Sequence, residues 1–509
     1  MSPPAPVRDR PGAALDRAER PPKPAVAPSA AAPASQRLVA GPNAWFLLLI
    51  AAAVLARLYH FTSAPDDAHQ WRQALTLINI QSYSYGASLW LPRGDWYGLN
   101  WRVDVLEFPV YSIIAFALSK VFGILAAARL ESLVLGLVAI VLFDRTASLL
   151  GHPRRRTATV LFALAPISIF YSHSVQPDAM LIALLLGTAY CGVRALKRGR
   201  GWLLAAAACI AVMSAIKPTA LITIALPLAY LGWRSRRLLG YGWVLASGLA
   251  SVALWGAFDR SVLLATNPDW YHVNSANGWV FGSLAQRLSP YTYNVLVTRA
   301  AIILLPPLTV GLLIKTAADR IGHPFWWLWV AGGAAQVLLF ANLNIVHFYY
   351  QLPIVPALAA LAAYSAPGWP ARRLMQPVVV LLLLIATAIG CRDLYKEDPI
   401  FRHGGEALSR VATSGKPVIA MSGGGVQPWY PNVLYYTGRP GWVLRLDASS
   451  GAIQALPGPA PCELVMVFDA PGPRNPPDGW QVIRRTDEYL VAHRNGAGCA
   501  GQRVAQPAN

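Results

Sequence analysis

Four ionisable residues follow the first apolar segment of the chain. Asp66 and Asp67 are adjacent, and His69 and Arg72 come shortly after them. A carboxylate near a membrane surface can take a proton from an acceptor hydroxyl as a general base, and basic groups can stabilise negative charge on a leaving phosphate. Membrane insertion does not require such a cluster, so it is a candidate for chemistry at the membrane surface. A solvated loop that anchors the helix is the alternative interpretation.

Further polar residues lie at the ends of later apolar segments. Transfer of a sugar from a lipid phosphate needs positive charge at the leaving phosphate, and we expect Arg72, Lys217 and the histidines to supply it. Glu107 and Asp178 could hold a divalent metal ion, because hard cations prefer carboxylate oxygens. The candidate substrate- and phosphate-binding residues are His69, Arg72, His173, Asp178, Lys217, His347, Tyr349 and Tyr350.

Each of these residues also has a purely structural interpretation. Lys217 beside Pro218 could extend from a helix end to the interface, and Asp178 after Pro177 could cap the next helix. His347 with its two neighbouring tyrosines could belong to an interfacial aromatic belt. Their predicted convergence on one face of the membrane favours a functional site.

The composition indicates an integral membrane protein. Of the 509 residues, 55% are hydrophobic and only 13% are charged, whereas a soluble domain carries about 25% charged residues. The formal charge of +19 comes largely from short basic clusters between apolar runs, the pattern that marks cytoplasmic loops. A nucleic-acid partner is therefore not expected. These clusters are Arg154–Arg156, Lys197-Arg198 with Arg200, Arg234 with Arg236-Arg237, and Arg372-Arg373.

The order of the basic clusters predicts the topology. A span needs about 20 mostly apolar residues, which gives about eleven spans. Residues 108–125 do not fit the alternation and are predicted to form an external or re-entrant helix. The candidate site of this multi-pass protein then faces away from the cytoplasm. The predicted spans are 43–60, 127–149, 157–174, 179–196, 201–216, 219–233, 239–256, 296–315, 324–341, 351–369 and 374–391.

Three regions are predicted along the chain. Residues 1–42, rich in Pro, Ala and Arg, are expected to be a disordered cytoplasmic tail. Residues 43–391 form the membrane domain, with external loops at 60–108 and 257–295. The second loop, with Trp270, Tyr271, His272 and Trp279, is expected to help cover the site. Residues 392–509 mix strand-like runs with Gly/Pro turns, which predicts a small extracytoplasmic α/β domain.

The five cysteines are too few for a disulfide scaffold. Cys191 and Cys209 fall inside apolar runs, where packing is the simplest role. Cys462 and Cys499 could pair if the C-terminal region lies outside the cytoplasm. Two unpaired thiols are an equally good interpretation of the sequence.

Several short elements together resemble the multi-pass glycosyltransferases of the GT-C fold, and most of all the protein O-mannosyltransferase and aminoarabinose-transferase (ArnT-like) family. The resemblance covers about residues 45–400. The resemblance rests on the order of the elements, because each motif alone has low specificity. The elements are Asp66-Asp67, Glu107-Phe108-Pro109, Gln176-Pro177-Asp178, Ala215-Ile216-Lys217-Pro218 and His347-Phe348-Tyr349-Tyr350-Gln351-Leu352-Pro353.

The resemblance implies a fold, a reaction and a donor. The fold would be an all-α polytopic membrane protein with about 11–13 transmembrane helices and a small C-terminal extracytoplasmic α/β domain. The reaction would be inverting transfer of a hexosyl or pentosyl group from a polyprenyl-phosphate carrier to a cell-envelope acceptor. A membrane lipid thus carries the sugar, and no nucleotide cofactor is expected.

The resemblance leaves the identity of the base open. The family usually has Asp-Glu where this chain has Asp66-Asp67. One subgroup, with a similar histidine-containing run, indicates Asp67, whereas the aminoarabinose transferases indicate Asp66. Glu107 would be a metal contact, but Phe108 stands where the family has a basic residue, which puts the metal and phosphate contacts in doubt.

Two other functional classes fit parts of the sequence. A transporter or flippase for lipid-linked glycans would also carry many helices and intramembrane charges, but it would more often place its ionisable groups near the midplane and show inverted repeats. An assembly subunit with a decayed site would tolerate loss of the carboxylates. The intact set of Asp66, Asp67, Glu107 and Asp178 argues for the transferase.

Overall fold

The computed structural model describes most of the chain from Pro42 onward, where the residues form one unit. The expectations for the N-terminal tail, for part of each external loop and for the Arg372-Arg373 cluster lie outside the described residues. The described residues are 42–92, 107–266, 279–367, 375–411, 417–423, 431–454, 456, 460–469, 472–494 and 499.

Helices dominate the structure as far as Cys391, and a small sheet follows. The helices in the described ranges are α1 (Pro42–Ala56), α2 (Gln70–Ser84), α3 (Val110–Phe122), α4 (Ile124–Leu149), α5 (Arg155–Ala163), α6 (Pro166–Tyr171), α7 (Asp178–Arg198), α8 (Gly201–Ile216), α9 (Ala220–Arg234), α10 (Leu238–Thr266), α11 (Leu284–Leu288), α12 (Pro290–Arg299), α13 (Val310–Ala318), α14 (Pro324–Leu339), α15 (Ala341–Val346), α16 (Val355–Ser365), α17 (Met375–Cys391), α18 (Ile400–Val411), α19 (Asn432–Thr437) and α20 (Ser450–Gln454). The strands are β1 (Val418–Ser422), β2 (Gly441–Arg445), β3 (Glu463–Val467), β4 (Trp480–Arg485) and β5 (Tyr489–Arg494).

Three helices in the described part of the chain are long and apolar enough to cross a membrane: α4, α7 and α10 up to Val262. A fourth crossing is available if Pro290–Leu304 and Pro307–Ala318, bent by 106° to each other, act as one broken span. Six further apolar helices are 10–17 residues long. The mainly helical architecture is confirmed, while the number of spans stays a prediction.

Prolines break helices where the sequence predicted continuous spans. The predicted span 157–174 is interrupted at Ala165, whose ψ of 121° is extended, because a residue before proline avoids the α conformation. The predicted span 296–315 is interrupted at Pro306-Pro307. The predicted span 351–369 begins with a 3-10 segment, Phe348–Ile354, that precedes α16. The last of these breaks gives irregular backbone at His347, Tyr349 and Tyr350, which are candidate site residues.

Close packing joins the helices behind the site. A Cβ atom at Gly332 of α14 would lie 2.6 Å from the carbonyl oxygen of Thr223 in α9. Only glycine permits that approach of two helix backbones. The aromatic rings of Phe143, Phe162 and Trp326 pack in the same apolar core, which gives the polar residues at the helix ends a rigid support.

The C-terminal sheet has the strand order β2-β1-β3-β5-β4. Strands β1, β2 and β3 run parallel, and β5 is antiparallel to both β3 and β4. β1 and β3 are buried throughout, as expected for central strands covered on both faces. The predicted α/β character of this region is confirmed, and Cys462 and Cys499 form a disulfide bond.

Candidate active site

Arg129 of α4 holds the backbone that leads to the acidic pair. Its Nη1 donates to the carbonyl oxygens of His60, Phe61 and Ser63 at 2.7, 2.7 and 2.6 Å. The loop then ends at His69, which has a left-handed φ of 56° directly before α2. This turn lets α2 start beside the acidic pair, so that Arg72 and Gln73 face the site. Sequence reasoning did not identify Arg129, because a buried arginine in an apolar run gives no sign of its partners.

Asp67 lies at the centre of the cluster with 4% of its surface exposed. Gln73 Nε2 donates to its Oδ1 at 2.5 Å, and Gln73 Oε1 accepts from the backbone N–H of Val175 at 3.1 Å. The other oxygen, Oδ2, accepts no hydrogen bond within the described ranges. Oδ2 lies 3.8 Å from His173 Nε2. Asp67 therefore keeps acceptor capacity for an incoming proton.

Asp66 points to a different neighbour. Its Oδ2 lies 3.2 Å from Arg402 Nε of α18, and its carbonyl oxygen accepts from the backbone N–H of Asp398 at 2.8 Å. Burial raises the pKa of Asp66, and the Arg402 guanidinium opposes that rise. Asp66 thus connects the first loop to the C-terminal region, whereas Asp67 faces the polar cluster.

Lys217 and Asp178 form a buried ion pair. Lys217 Nζ lies 2.6 Å from Asp178 Oδ1, and 3% and 0% of the two residues are exposed. The ammonium group also lies 4.1 Å and 4.9 Å from the ring centroids of Tyr349 and Tyr350. Cation–π contacts of this kind help to hold a desolvated cation in place. Asp178 lies in the first turn of α7, where Pro177 and not Asp178 is the N-cap residue, and its carboxylate pairs with Lys217.

Arg72 and Glu107 form a second ion pair at the rim of a cleft. Arg72 Nη2 lies 2.7 Å from Glu107 Oε1. The walls of the cleft also include Thr76, Asn79, Phe108, Pro109, Tyr111 and Ser112. Hydroxyl and amide groups therefore lie beside the Arg72 guanidinium.

Aromatic rings close the cluster on the side of His347. The His69 ring centroid lies 5.6 Å from that of His347 and 5.0 Å from that of Tyr349, and His347 stacks on Tyr349 at 5.2 Å. The ring centroid of Trp279, in the second external loop, lies 5.9 Å from that of His347. Ring faces of this type bind sugars well.

Burial disfavours the charged form of a histidine. Burial, then Lys217 and Arg72, lower the pKa of His347 to about 3. Burial also lowers the pKa of His69, as does the neighbouring His347. These shifts argue against the expectation that histidines supply the positive charge, and Lys217 and Arg72 are the cations of the two ion pairs.

The suggested metal ligands do not form a carboxylate cage. Glu107 is paired with Arg72 and Asp178 with Lys217. Among the described residues, no group of three His, Cys, Asp or Glu side chains has the spacing of a metal site. Since both carboxylates already neutralise a cation, this donor set does not fit a divalent metal.

These contacts place the candidate residues near one another, while their role in a functional site stays a prediction. They bring together Asp66, Asp67, His69, Arg72, Glu107, His173, Asp178, Lys217, His347, Tyr349 and Tyr350. Gln73, Tyr395 and Arg402 were not singled out from the sequence. Gln73 belongs to the run that follows the acidic pair, which is a usable signal. Tyr395 and Arg402 become neighbours of the pair only through the packing of the C-terminal segment.

Comparison with known proteins matches the chain to one fold. A family model described as dolichyl-phosphate-mannose-protein mannosyltransferase matches residues 108–256. The crystal structure of ArnT from Cupriavidus metallidurans bound to undecaprenyl phosphate is similar, with a TM-score of 0.57 and 15% identity, over 91% of this chain and 100% of that one. The chain has the GT-C fold.

Other comparisons give the limits of the likeness. ArnT from the same organism in the apo state has a TM-score of 0.56 and 15% identity, over 90% of this chain and 99% of that one. The Archaeoglobus fulgidus oligosaccharyltransferase bound to Zn and sulfate reaches only 0.48 and 8% identity, over 82% and 68% of the two chains. No curated protein sequence gives a significant match. The resemblance to ArnT and the mannosyltransferases is confirmed, and at 15% identity the structural likeness concerns the fold.

Proposed function

We propose that this protein is an inverting glycosyltransferase that moves a hexosyl or pentosyl group from a polyprenyl-phosphate carrier to a hydroxyl acceptor on the outer face of a bacterial inner membrane. Asp67 is the observation that carries the proposal. It is a buried carboxylate with one oxygen held by Gln73 and the other without a hydrogen bond among the described residues. Two buried cations, Lys217 and Arg72, belong to the same cluster.

The reaction follows from these positions. Asp67 takes the proton of the acceptor hydroxyl, and the acceptor oxygen forms a bond to the anomeric carbon of the donor sugar. The bond from that carbon to the phosphate oxygen breaks at the same time, and its electron pair leaves with the polyprenyl phosphate. General-base catalysis of this type contributes about 10²- to 10⁴-fold to the rate. A single displacement at the anomeric carbon inverts its configuration.

Lys217 and Arg72 are suited to the leaving phosphate. Each cation is held in place by a carboxylate, at 2.6 Å for Lys217 and 2.7 Å for Arg72. A preorganised cation in a water-poor site stabilises developing charge far better than one in water. Tyr349 and Tyr350 line the space around Lys217 and are proposed to contact the sugar and its phosphate.

The carrier and the compartment are inferred from chemistry. A polyprenyl chain can lie between apolar helices while its phosphate reaches the interface, and the similar ArnT structure is described as bound to undecaprenyl phosphate. The Cys462–Cys499 disulfide suits an oxidising compartment rather than the cytoplasm. The acceptor is therefore proposed to be an envelope glycan, lipid or protein.

A donor-consumption assay tests the proposal. Purified protein in proteoliposomes receives a panel of polyprenyl-phosphate sugars together with envelope extracts as acceptors, and an Asp66→Asn/Asp67→Asn double variant serves as the control. The proposal predicts that the wild type releases the sugar from one donor and that the double variant does not. A donor that stays intact but moves between leaflets would instead identify a flippase.

A further inference from the structure

Tyr395 contacts the imidazole that faces the proposed base. It lies in the short segment between α17 and α18, and its ring stacks on His173 with 5.1 Å between centroids and 8° between planes. The Tyr395 hydroxyl is 3.3 Å from His173 Nδ1. His173 Nε2 is 3.8 Å from Asp67 Oδ2. A hydroxyl, an imidazole and a carboxylate therefore lie in sequence.

Backbone hydrogen bonds fix Tyr395 relative to the acidic pair. The backbone N–H of Ala68 donates to the carbonyl oxygen of Leu394 at 3.1 Å, and the N–H of Asp398 donates to that of Asp66 at 2.8 Å. The rings of Tyr59 and His60 pack edge-on against Tyr395 at 5.1 and 5.5 Å. These backbone hydrogen bonds and ring contacts hold Tyr395 in place and tie its position to that of Asp67.

The protonation of the three groups follows from their partners. An ionised carboxylate only accepts hydrogen bonds, and a neutral imidazole carries one N–H. If the Tyr395 hydroxyl donates to Nδ1, the ring proton is on Nε2 and faces Asp67. The charged or titratable groups around the ring are Asp67 in the first loop, Arg129 in α4, His60 after α1, and Tyr395.

We infer that Tyr395 and His173 are positioning residues for the proposed base: the Tyr395 hydroxyl fixes the tautomer of His173, whose Nε2–H orients Asp67 Oδ2. This inference rests on the proposed function for Asp67. The Nε2–Oδ2 distance of 3.8 Å exceeds a hydrogen bond by about 0.6 Å or more, so a small closure completes the contact. Gln73 holds Oδ1 from the other side, and both oxygens keep a further lone pair.

Kinetics of conservative variants test the inference. Tyr395→Phe keeps the ring and removes the hydroxyl; we expect kcat to fall about tenfold, with the donor KM within about twofold of the wild type. Loss of a donor to the charged form raises a carboxylate pKa, so the acid limb of the kcat/KM profile moves to higher pH. Tyr59→Phe is the matched control, since Tyr59 is 58% exposed, and should behave as the wild type.

Variants of His173 separate positioning from packing. His173→Gln offers an N–H donor near the position of Nε2 and should retain more activity than His173→Ala. Adding Tyr395→Phe to His173→Gln should cause no further loss, because an amide has no tautomer to fix. Full additivity of the two changes, or wild-type kcat in Tyr395→Phe, would overturn the inference.

A spectroscopic readout tests the same point without turnover. ¹⁵N-histidine NMR of the full chain in lipid, with His173 assigned from the His173→Gln spectrum, reports the ring tautomer. We expect Nε2–H in the wild type and a mixture in Tyr395→Phe. A wild-type Nδ1–H tautomer, or no change in Tyr395→Phe, would refute the positioning role. Failure of the proposed function would appear separately, as a wild type that consumes no donor or an active Asp67→Asn variant.

Discussion

Two lysine–aspartate pairs of nearly equal length lie in different regions of the molecule. Lys217 and Asp178, in the site, are 2.6 Å apart with 4% and 1% of their side-chain surfaces exposed. Lys315 and Asp319, at the end of α13, are 2.7 Å apart with 61% and 43% exposed. A buried pair cannot lose one partner without leaving a desolvated charge, whereas an exposed pair contributes little. Burial rather than distance therefore distinguishes the pair in the proposed site.

The C-terminal sheet extends this contrast. Its central strands bury mainly apolar residues, including Ile419, Val465 and Met466, and Glu463 of β3 is a buried carboxylate that pairs with Arg439. The polar cluster instead buries Asp67, His173 and Lys217. Such burial is unfavourable for folding. A site that retains these groups is expected to use them.

The largest expected effect comes from Lys217→Met. Removing the cation leaves Asp178 buried and unpaired, which should destabilise the protein by about 3–5 kcal/mol and reduce kcat/KM on the order of 100-fold or more. Thermal unfolding in detergent and donor consumption in proteoliposomes measure the two effects.

The double variant Lys217→Met/Asp178→Asn separates them. It should recover most of the stability, because no buried charge is left alone, but none of the activity. Recovery of both would mean that the pair only supports the fold.

Removing the disulfide should affect stability without affecting chemistry. Cys462 and Cys499 are 37 residues apart, so a Cys462→Ser/Cys499→Ser variant should lose about 3–4 kcal/mol in the C-terminal region. Donor consumption at low temperature should stay within about twofold of the wild type. Loss of activity while the sheet is still folded would show that the sheet takes part in the reaction.

Acid should destabilise the site region. The pKa of His347 is lowered to about 3 in the folded protein, against about 6.5 when unfolded. Between these values the unfolded state binds the proton and the folded state does not, so stability falls as pH drops below about 6.5, by roughly 1.4 kcal/mol per pH unit for this residue. His347→Gln should flatten the decline of the unfolding temperature between pH 6.5 and 5.5. An unchanged slope would contradict the assignment.

The smallest effect is expected for Lys315→Met, the same chemical change in the exposed pair. Its effect should remain within about 0.5 kcal/mol, and donor consumption should not change. A loss comparable to that of Lys217→Met would remove burial as the distinguishing property.

The sequence predicted the members of the site better than their partners. A polar residue at the end of an apolar segment is visible in the chain, and α8 matches its predicted bounds, 201–216. The breaks at Pro166 and Pro306 were missed, because a hydropathy pattern stays continuous across a kink. Tyr395 and His173 lie 222 residues apart, and only tertiary packing brings them together. The lowered pKa of His347 likewise depends on burial that a linear pattern does not reveal.

Asp67 is proposed to act in the chemical step and not in holding the donor. Binding and consumption of one polyprenyl-phosphate sugar by Asp67→Asn and the wild type, measured in the same proteoliposomes, separate these two roles. We expect a dissociation constant within about twofold of the wild type and donor consumption lowered at least about 100-fold. Turnover at the wild-type rate, or loss of binding together with turnover, would contradict it.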